Sequence, residues 1–380
     1  MSKQVLTELH SLEKKYKEKQ AKKLSHKQNI WIFGTGQFGR DLHAALSIEE
    51  YCVAGFVETT PSSKEFLELP LLGWKEWSST HFKNPLCIGI FNRNMPLDQL
   101  EGIARQNGAA DIYMPWDLYP ILEKHLGWRY WLSPAHKILS NLHKLSKAID
   151  CLSDEFSKRC ILDIAAFRLG MNTAYGSFQH EETQYFNTLT LSTFKDKSIC
   201  FVEGGAYTGD TYLTLCKLTN VYESYLFEPD ADNYAKLVSK IDREVNHAHC
   251  LPIGLWDSYG ILSFNEGNGE GASISGDGTA HIATVDLDSL IGGRTVDFLK
   301  LDVEGSEMRA LYGAKNLIKH SRPVLAVSLY HRPEDLWELP LILASLCDDY
   351  MFYIRQHYAN SFDSVLYAIT NKLHTEFLNN

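Results

Sequence analysis

The fold class this sequence predicts is α/β, with two Rossmann-like sheets in tandem, and three observations predict it. From residue 198 onward, short apolar runs alternate with stretches of helical periodicity. Near the start, Gly34-Thr35-Gly36-Gln37-Phe38-Gly39 stands between an apolar run and a helical pattern. At the end, Met351-Phe352-Tyr353-Ile354 and Val365-Leu366-Tyr367-Ala368-Ile369 lie too close together for a crossover helix, so they should pair antiparallel. The expected order is a charged N-terminal helix (1–28), a smaller Rossmann-like α/β domain (29–115), a helical connector (116–197) and a larger, mostly parallel sheet with an antiparallel C-terminal hairpin (198–375).

Residues 1–27 carry eight Lys against three Glu, while the 380-residue chain has a net charge of −10, so everything downstream is strongly acidic. A short lysine-rich helix of this kind is expected to be solvated, and the acidic body argues against a nucleic-acid partner. Asn29-Ile30-Trp31-Ile32-Phe33 reads as a strand, and Leu42, Ala45 and Leu46 follow at helix spacing. A second strand, Cys52-Val53-Ala54-Gly55-Phe56-Val57, ends in Glu58, 24 residues beyond Gly34, about where an acid gripping a ribose would lie. Gly34, Gly36, Gly39 and Glu58 are therefore a candidate second nucleotide site. A third strand is Leu86-Cys87-Ile88-Gly89-Ile90-Phe91. Three roles compete for this domain: holding the nucleotide of an activated sugar, holding NAD, or serving as a ligand-free scaffold. No Tyr-x-x-x-Lys pattern stands beside it, which argues against a short-chain dehydrogenase.

Between 116 and 197 the periodicity is helical, as in Ile138, Leu139, Leu142, Leu145 and Ile149, and Gln184-Tyr185-Phe186 lies near the end of this stretch. Strands are then expected at 198–203, 223–228, 249–255, 296–302, 323–329, 350–356 and 364–369. Pro229 and Asp230 suit a helix start, and Ala231, Tyr234, Val238 and Ile241 give that helix one buried stripe. Between 256 and 290, Gly260, Gly267, Gly269, Gly271, Gly276 and Gly278 imply hairpins or a mobile flap.

With 44% hydrophobic residues the chain can bury at least one large core. Its eight Cys show no C-x-x-C spacing, which favours reduced thiols and a cytoplasmic location. No run of about 18 apolar residues and no signal-peptide core occur, so no membrane span is expected. Self-association into a homo-oligomer is left open.

The chemistry concentrates in Phe201-Val202-Glu203-Gly204-Gly205-Ala206-Tyr207-Thr208-Gly209-Asp210-Thr211, an apolar strand entering a glycine turn and then a helix, followed by a second acid, Glu228. Glycines let the backbone approach a ligand, the helix start offers unpaired N–H groups, and an acid ending the next strand can hold ribose hydroxyls. Glu203 stands before the turn, where a cationic amino group would need it. That favours S-adenosylmethionine over a dinucleotide.

Together with Phe227-Glu228-Pro229-Asp230, Gly254-Leu255-Trp256-Asp257, Thr284-Val285-Asp286-Leu287-Asp288 and Leu299-Lys300-Leu301-Asp302-Val303-Glu304-Gly305-Ser306-Glu307, this stretch resembles the FkbM-type methyltransferases over about residues 185–370. The resemblance implies the Rossmann-like methyltransferase sheet. It also implies that Glu203 with Gly204, Gly205, Ala206, Tyr207, Thr208 and Thr211 holds the methionine end of the cofactor. Glu228, followed by Pro229, would hold the ribose, and Trp256 with Asp257 would border the adenine. The family more often has Asp where Glu203 stands, so that contact carries an extra methylene.

Ligands in open α/β sheets sit beyond the carboxyl ends of the strands, where Asp302, Glu304 and His331 should converge as catalytic residues. His331 is expected to be the base, with Asp302 orienting it or taking the proton itself. Magnesium on Asp302, Glu304 and His331 is a chemically reasonable addition. The function expected is O-methylation of a sugar, glycan precursor or related polar metabolite. The alternatives are an NAD-dependent oxidoreductase or epimerase of nucleotide sugars run by the N-terminal domain, and a non-catalytic adaptor in glycan assembly.

Overall fold

Strand β1, Ile30–Phe33, is buried along its whole length because all four of its residues are large and apolar. It is the centre of a six-stranded sheet. The computed structural model of the chain describes residues 3–19, 22–174, 182–241, 247–265, 273–274 and 280–373. The other members of this sheet are β2 (Val53–Glu58), β3 (Glu65–Phe66), β4 (Leu69–Gly73), β5 (Leu86–Ile88) and β6 (Ile112–Tyr113), in the order β3-β4-β2-β1-β5-β6. All neighbours run parallel except the β3–β4 pair.

Packing divides the chain into two units. The first comprises Met1–Ser146, Arg159–Gln179 and Tyr358–Phe362, and the second Lys147–Lys158, His180–His357 and Asp363–Asn380. The expected connector 116–197 is thus shared between them and does not stand as a body of its own. The N-terminal helix, Lys3–Glu18, is docked as well as charged: Val5, Leu9 and Leu12 are buried at helical spacing.

The second unit holds a seven-stranded sheet. Its strands are β7 (Ser198–Gly204), β8 (Asn220–Phe227), β9 (Ala248–Leu251), β14 (Phe298–Leu301), β15 (Val324–Ser328), β16 (Tyr350–Gln356) and β17 (Ser364–Thr370). The intervening β10 (Gly254–Leu255), β11 (Gly260–Asn265), β12 (Ser273–Ile274) and β13 (Ala280–Val285) form a separate four-stranded sheet. The large sheet runs β16-β17-β15-β14-β7-β8-β9, parallel from β15 to β9, with β17 antiparallel to both β15 and β16. This is a Rossmann-like sheet with the expected terminal hairpin. The run expected at 249–255 divides at Pro252, which lacks the N–H a continuous ladder needs. Its first half joins the large sheet as β9 and its second the small sheet as β10. Of the glycine-rich stretch, Gly267, Gly269, Gly271, Gly276 and Gly278 lie outside the described residues.

Phe201, Tyr212, Leu226, Phe298, Val324 and Tyr367 meet in one buried cluster of this unit. β7, β14 and β15 are buried and apolar over most of their length, as parallel strands covered on both faces must be. The polar exceptions, Glu203 and Lys300, therefore stand out.

Candidate active site

The sheet order changes direction between β7 and β14, the position where open α/β sheets leave a crevice beyond their carboxyl ends. The turn after β7 is built for close approach. Gly205 has φ +74°, and a Cβ there would lie 1.9 Å from the Asp302 carbonyl oxygen, so only glycine fits. The Gly205 and Ala206 N–H groups donate to Phe227 O at 3.0 and 2.9 Å, tying the turn to the end of β8. Gly204 faces the side chains of Leu255 and Val303. Thr208 accepts from Lys240 Nζ at 2.6 Å, and Thr211 lies in the first turn of the helix Asp210–Leu218.

Glu203 is fully buried, with Lys300 Nζ 3.1 Å from Oε1, yet neither of its carboxylate oxygens accepts a hydrogen bond of good geometry. Burial raises its carboxyl to about 7 although Lys300 pulls the other way. The Lys300 ammonium also donates to Gly205 O at 2.9 Å and lies 4.0 Å from Asp302 Oδ2. Burial opposes its charge, but Glu203 and Asp302 overcome that and raise its pKa. Glu228 braces the turn: it accepts from the Tyr207 N–H at 2.8 Å and from the Asp230 N–H at 3.0 Å. Burial holds its carboxyl at about 7 against those two donors. Each carboxylate oxygen keeps a further lone pair for a ligand. Pro229 lies between Glu228 and Asp230, whose Oδ1 caps the next helix by accepting from the Asn233 N–H at 2.9 Å. At the β10 end, Asp257 pairs with Arg309 at 2.6 Å, and the guanidinium lies 5.4 Å from the centre of the Trp256 ring.

Asp302, Glu304 and His331 do come together. His331 Nε2 is 3.5 Å from both Asp302 Oδ1 and Glu304 Oε2. Its other ring nitrogen, Nδ1, is 2.8 Å from Glu307 Oε1, which also accepts from the Val303 N–H at 2.8 Å. Burial alone would depress the fully buried imidazole, but Glu307, Glu304 and Asp302 outweigh it and hold His331 at about 10. At neutral pH it is an imidazolium clamped among carboxylates. This environment is at odds with the expected accepting base, which would have to be neutral. Asp302 accepts from Tyr185 Oη at 2.9 Å and from Tyr330 Oη at 3.3 Å. Burial pushes it up, but Lys300 and His331 more than compensate, so it stays ionised below its usual range.

Among the described residues, the trio whose ligand atoms lie within 4.8 Å of one another is Asp302, Glu307 and His331, so Glu307 stands where Glu304 was expected. Glu307 is already engaged by the Val303 N–H and the imidazolium, whose charge answers the carboxylates. Sequence reading missed Glu307, Lys300, Tyr185 and Tyr330 as parts of the site. The available signals were Lys300 inside an otherwise apolar buried strand and an acid opening the helix Glu307–Gly313.

In the first unit, Gly34 has φ +109° and packs on Ile90, Gly39 abuts the Gly34 carbonyl, and Gly36 faces open space at the start of the helix Gln37–Ile48. Glu58 accepts a hydrogen bond from the Thr35 hydroxyl. These four residues do gather around one turn. Among the described residues no helix is long and apolar enough to cross a membrane, and all eight cysteines are free.

Known proteins give this geometry a context. The solved structure of methyltransferase FkbM from Methylobacillus flagellatus KT is 22% identical, covers 90% of each chain and superposes with a TM-score of 0.70. That likeness shows a shared fold. An rRNA methylase from Streptococcus thermophilus is 12% identical over 48% of this chain and 93% of its own, with a TM-score of 0.33. Curated protein sequences give no match. Residues 203–362 match the family described as Methyltransferase FkbM domain. The matched stretch opens on Glu203 and contains Glu228, Asp302, Glu304, Glu307 and His331, so residues 203–362 carry an FkbM-type methyltransferase domain.

Proposed function

We propose that this chain is an S-adenosylmethionine-dependent O-methyltransferase acting on a hydroxyl of a sugar, glycan precursor or related polar metabolite. Glu203 carries the cofactor reading: a fully buried carboxyl, paired with Lys300 at 3.1 Å but with no well-aligned hydrogen bond to either oxygen, beside a turn with no room for a Cβ. A buried carboxylate is costly until well-aligned donors satisfy it, and the cofactor's ammonium would add donors to the charge that Lys300 already supplies. Glu228 would take the ribose hydroxyls on its remaining lone pairs, and Trp256 and Asp257 would flank the base. When bound, S-adenosylmethionine supplies a methyl group activated by a sulfonium.

Asp302 is the group best suited to meet the acceptor. Its side chain is 21% exposed and ionised, whereas His331 and Glu307 are fully buried. The carboxylate would accept the hydroxyl's hydrogen bond, orient its lone pair and receive its proton. The His331 imidazolium, fixed by Glu307, would supply a compensating positive charge that keeps Asp302 ionised. Groups of both signs around one exposed carboxylate favour a neutral polyol over an anionic acceptor atom.

Tritium transfer from labelled S-adenosylmethionine to a panel of monosaccharides and nucleotide sugars tests this, with mass spectrometry of the product for a methyl ether. Transfer that falls about a hundredfold or more in Asp302→Asn, at unchanged cofactor affinity, is the expected result. Undiminished transfer in that variant, or methyl groups found only on nitrogen or carbon, refutes it.

A further inference from the structure

Tyr185 precedes the matched domain, yet its side chain lies among the reacting groups. Its backbone has φ 65°, a left-handed conformation that a bulky residue adopts only when its surroundings enforce it. Those surroundings are specific. The Tyr185 N–H donates to Tyr367 Oη at 3.0 Å, and Thr190 Oγ1 donates to the Tyr185 carbonyl at 2.7 Å. Tyr367 Oη is in turn 2.8 Å from His357 Nε2, and the neighbouring Gln184 donates to Asp363 Oδ1 at 3.0 Å. The residue is thus held from both sides in a buried polar network. His357 joins this network through Tyr367.

The side chain makes two contacts that matter. Its hydroxyl donates to Asp302 Oδ2 at 2.9 Å, and the Lys300 ammonium lies 5.1 Å from its ring centre. Burial and the Asp302 charge keep the phenol protonated, so toward Asp302 it acts only as a donor. With Oδ2 held by Tyr185, Oδ1 is left toward Tyr330 and His331.

We infer that Tyr185 is a positioning residue of the methyl-transfer site, its hydroxyl fixing the direction of the Asp302 carboxylate and its ring steadying Lys300 against Glu203. The inference rests on the reading that Asp302 meets the acceptor. It assigns one chemical role to each half of the side chain, so two substitutions separate them. Tyr185→Phe keeps the ring and removes the hydroxyl. Tyr185→Ala removes both.

The experiment combines calorimetry of S-adenosylhomocysteine binding with tritium transfer to the same sugar panel, on the full chain. Tyr185→Phe is expected to bind within about twofold of wild type and to lose about tenfold in kcat with KM for S-adenosylmethionine unchanged, as removal of one charge-assisted hydrogen bond implies. Tyr185→Ala should also lose about fivefold or more in binding, because Lys300 loses its aromatic face. In the Tyr185→Phe, Asp302→Asn double variant the two kcat losses should fail to add. Wild-type kcat in Tyr185→Phe, or equal binding losses in both single variants, overturns the inference. Should Tyr185→Ala not fold, Tyr367→Phe, which removes the anchor of the Tyr185 N–H, should reproduce part of the kcat loss, and a wild-type kcat there overturns it. If wild-type protein transfers methyl to no sugar, the acceptor reading falls, and binding alone decides: affinity lost in Tyr185→Ala but kept in Tyr185→Phe supports the inference, and equal affinity in Tyr185→Ala and wild type overturns it.

Discussion

Cofactor affinity should depend on pH through Glu203 and Glu228, and Glu203→Gln isolates the first. Burial raises the Glu203 carboxyl from an ordinary 4.5 to about 7, with Lys300 opposing, and raises Glu228 to about 7 against its two backbone donors. A ligand that brings an ammonium and ribose hydroxyls binds the ionised forms. Below about 7 each group must give up a proton on binding, so affinity falls about tenfold per pH unit for each group, and about a hundredfold for both together. Above that pH it levels off. The sign for folding is the reverse of a salt-bridged acid: the fold holds the Glu203 proton more tightly than the unfolded chain does. The Glu203 contribution to free-protein stability is therefore fully present below 4.5 and falls by about 3 kcal/mol as pH rises to 7. Glu203→Gln should flatten that decline, lower affinity at pH 8 by about 10- to 100-fold, and leave only the single-group slope from Glu228. Calorimetry with S-adenosylhomocysteine across this range, repeated near pH 6.5 in buffers of different ionisation enthalpy, measures both slope and proton release. A flat affinity profile with no proton released, or wild-type affinity in Glu203→Gln, refutes the reasoning.

Gly205→Ala forces a Cβ into the Asp302 carbonyl at 1.9 Å from a φ of +74°. It should cost more than about 2 kcal/mol, visible as a melting temperature lowered by about 5 °C or more, and unchanged melting would contradict the turn geometry. His331, raised to about 10, contributes stability that is fully present below 6.5 and is lost as pH rises toward 10. The margin of wild type over His331→Gln in denaturant titrations should therefore shrink across that window by about 5 kcal/mol, and a constant margin argues against a buried imidazolium.

Which parts of this molecule can be read from its sequence follows from how local the signal is. β7, β14 and β15 were legible because parallel strands covered on both faces are continuous apolar runs. The two-residue strands β3, β6 and β10 carry too few side chains for any period, and the pairing of β6 and β10 is decided by partners distant in sequence. The lysine-rich start reads as a solvated helix because the charges dominate its composition, while Val5, Leu9 and Leu12 only acquire meaning from the surface they cover. At the site, the convergence of Asp302, Glu304 and His331 follows from topology alone. Their protonation does not. Glu307 lies within a motif already in view, but its grip on His331 Nδ1 depends on a side chain from the next strand's end, 24 residues away.

Backbone strain ties these pieces together. Tyr185, Tyr207 and Glu304 all have positive φ, of 65°, 48° and 52°. None is a residue that favours the left-handed region, and each such placement costs on the order of 1–2 kcal/mol. Other non-glycine residues share that conformation, among them Glu50, Leu67 and Glu68 in turns or short connections of the first unit and Asp196, Arg322 and Asp363 in the second. Two of the three at the site aim a donor at an acid, the Tyr185 hydroxyl at Asp302 and the Tyr207 N–H at Glu228, and the third sets the Glu304 carboxylate against the imidazolium beside Asp302. A fold selected for stability alone would place glycine or asparagine at such positions. The strain instead fixes the donors and charges before any ligand arrives, so that little reorganisation remains for the moment of reaction, which is the condition under which fixed dipoles and charges accelerate group transfer most.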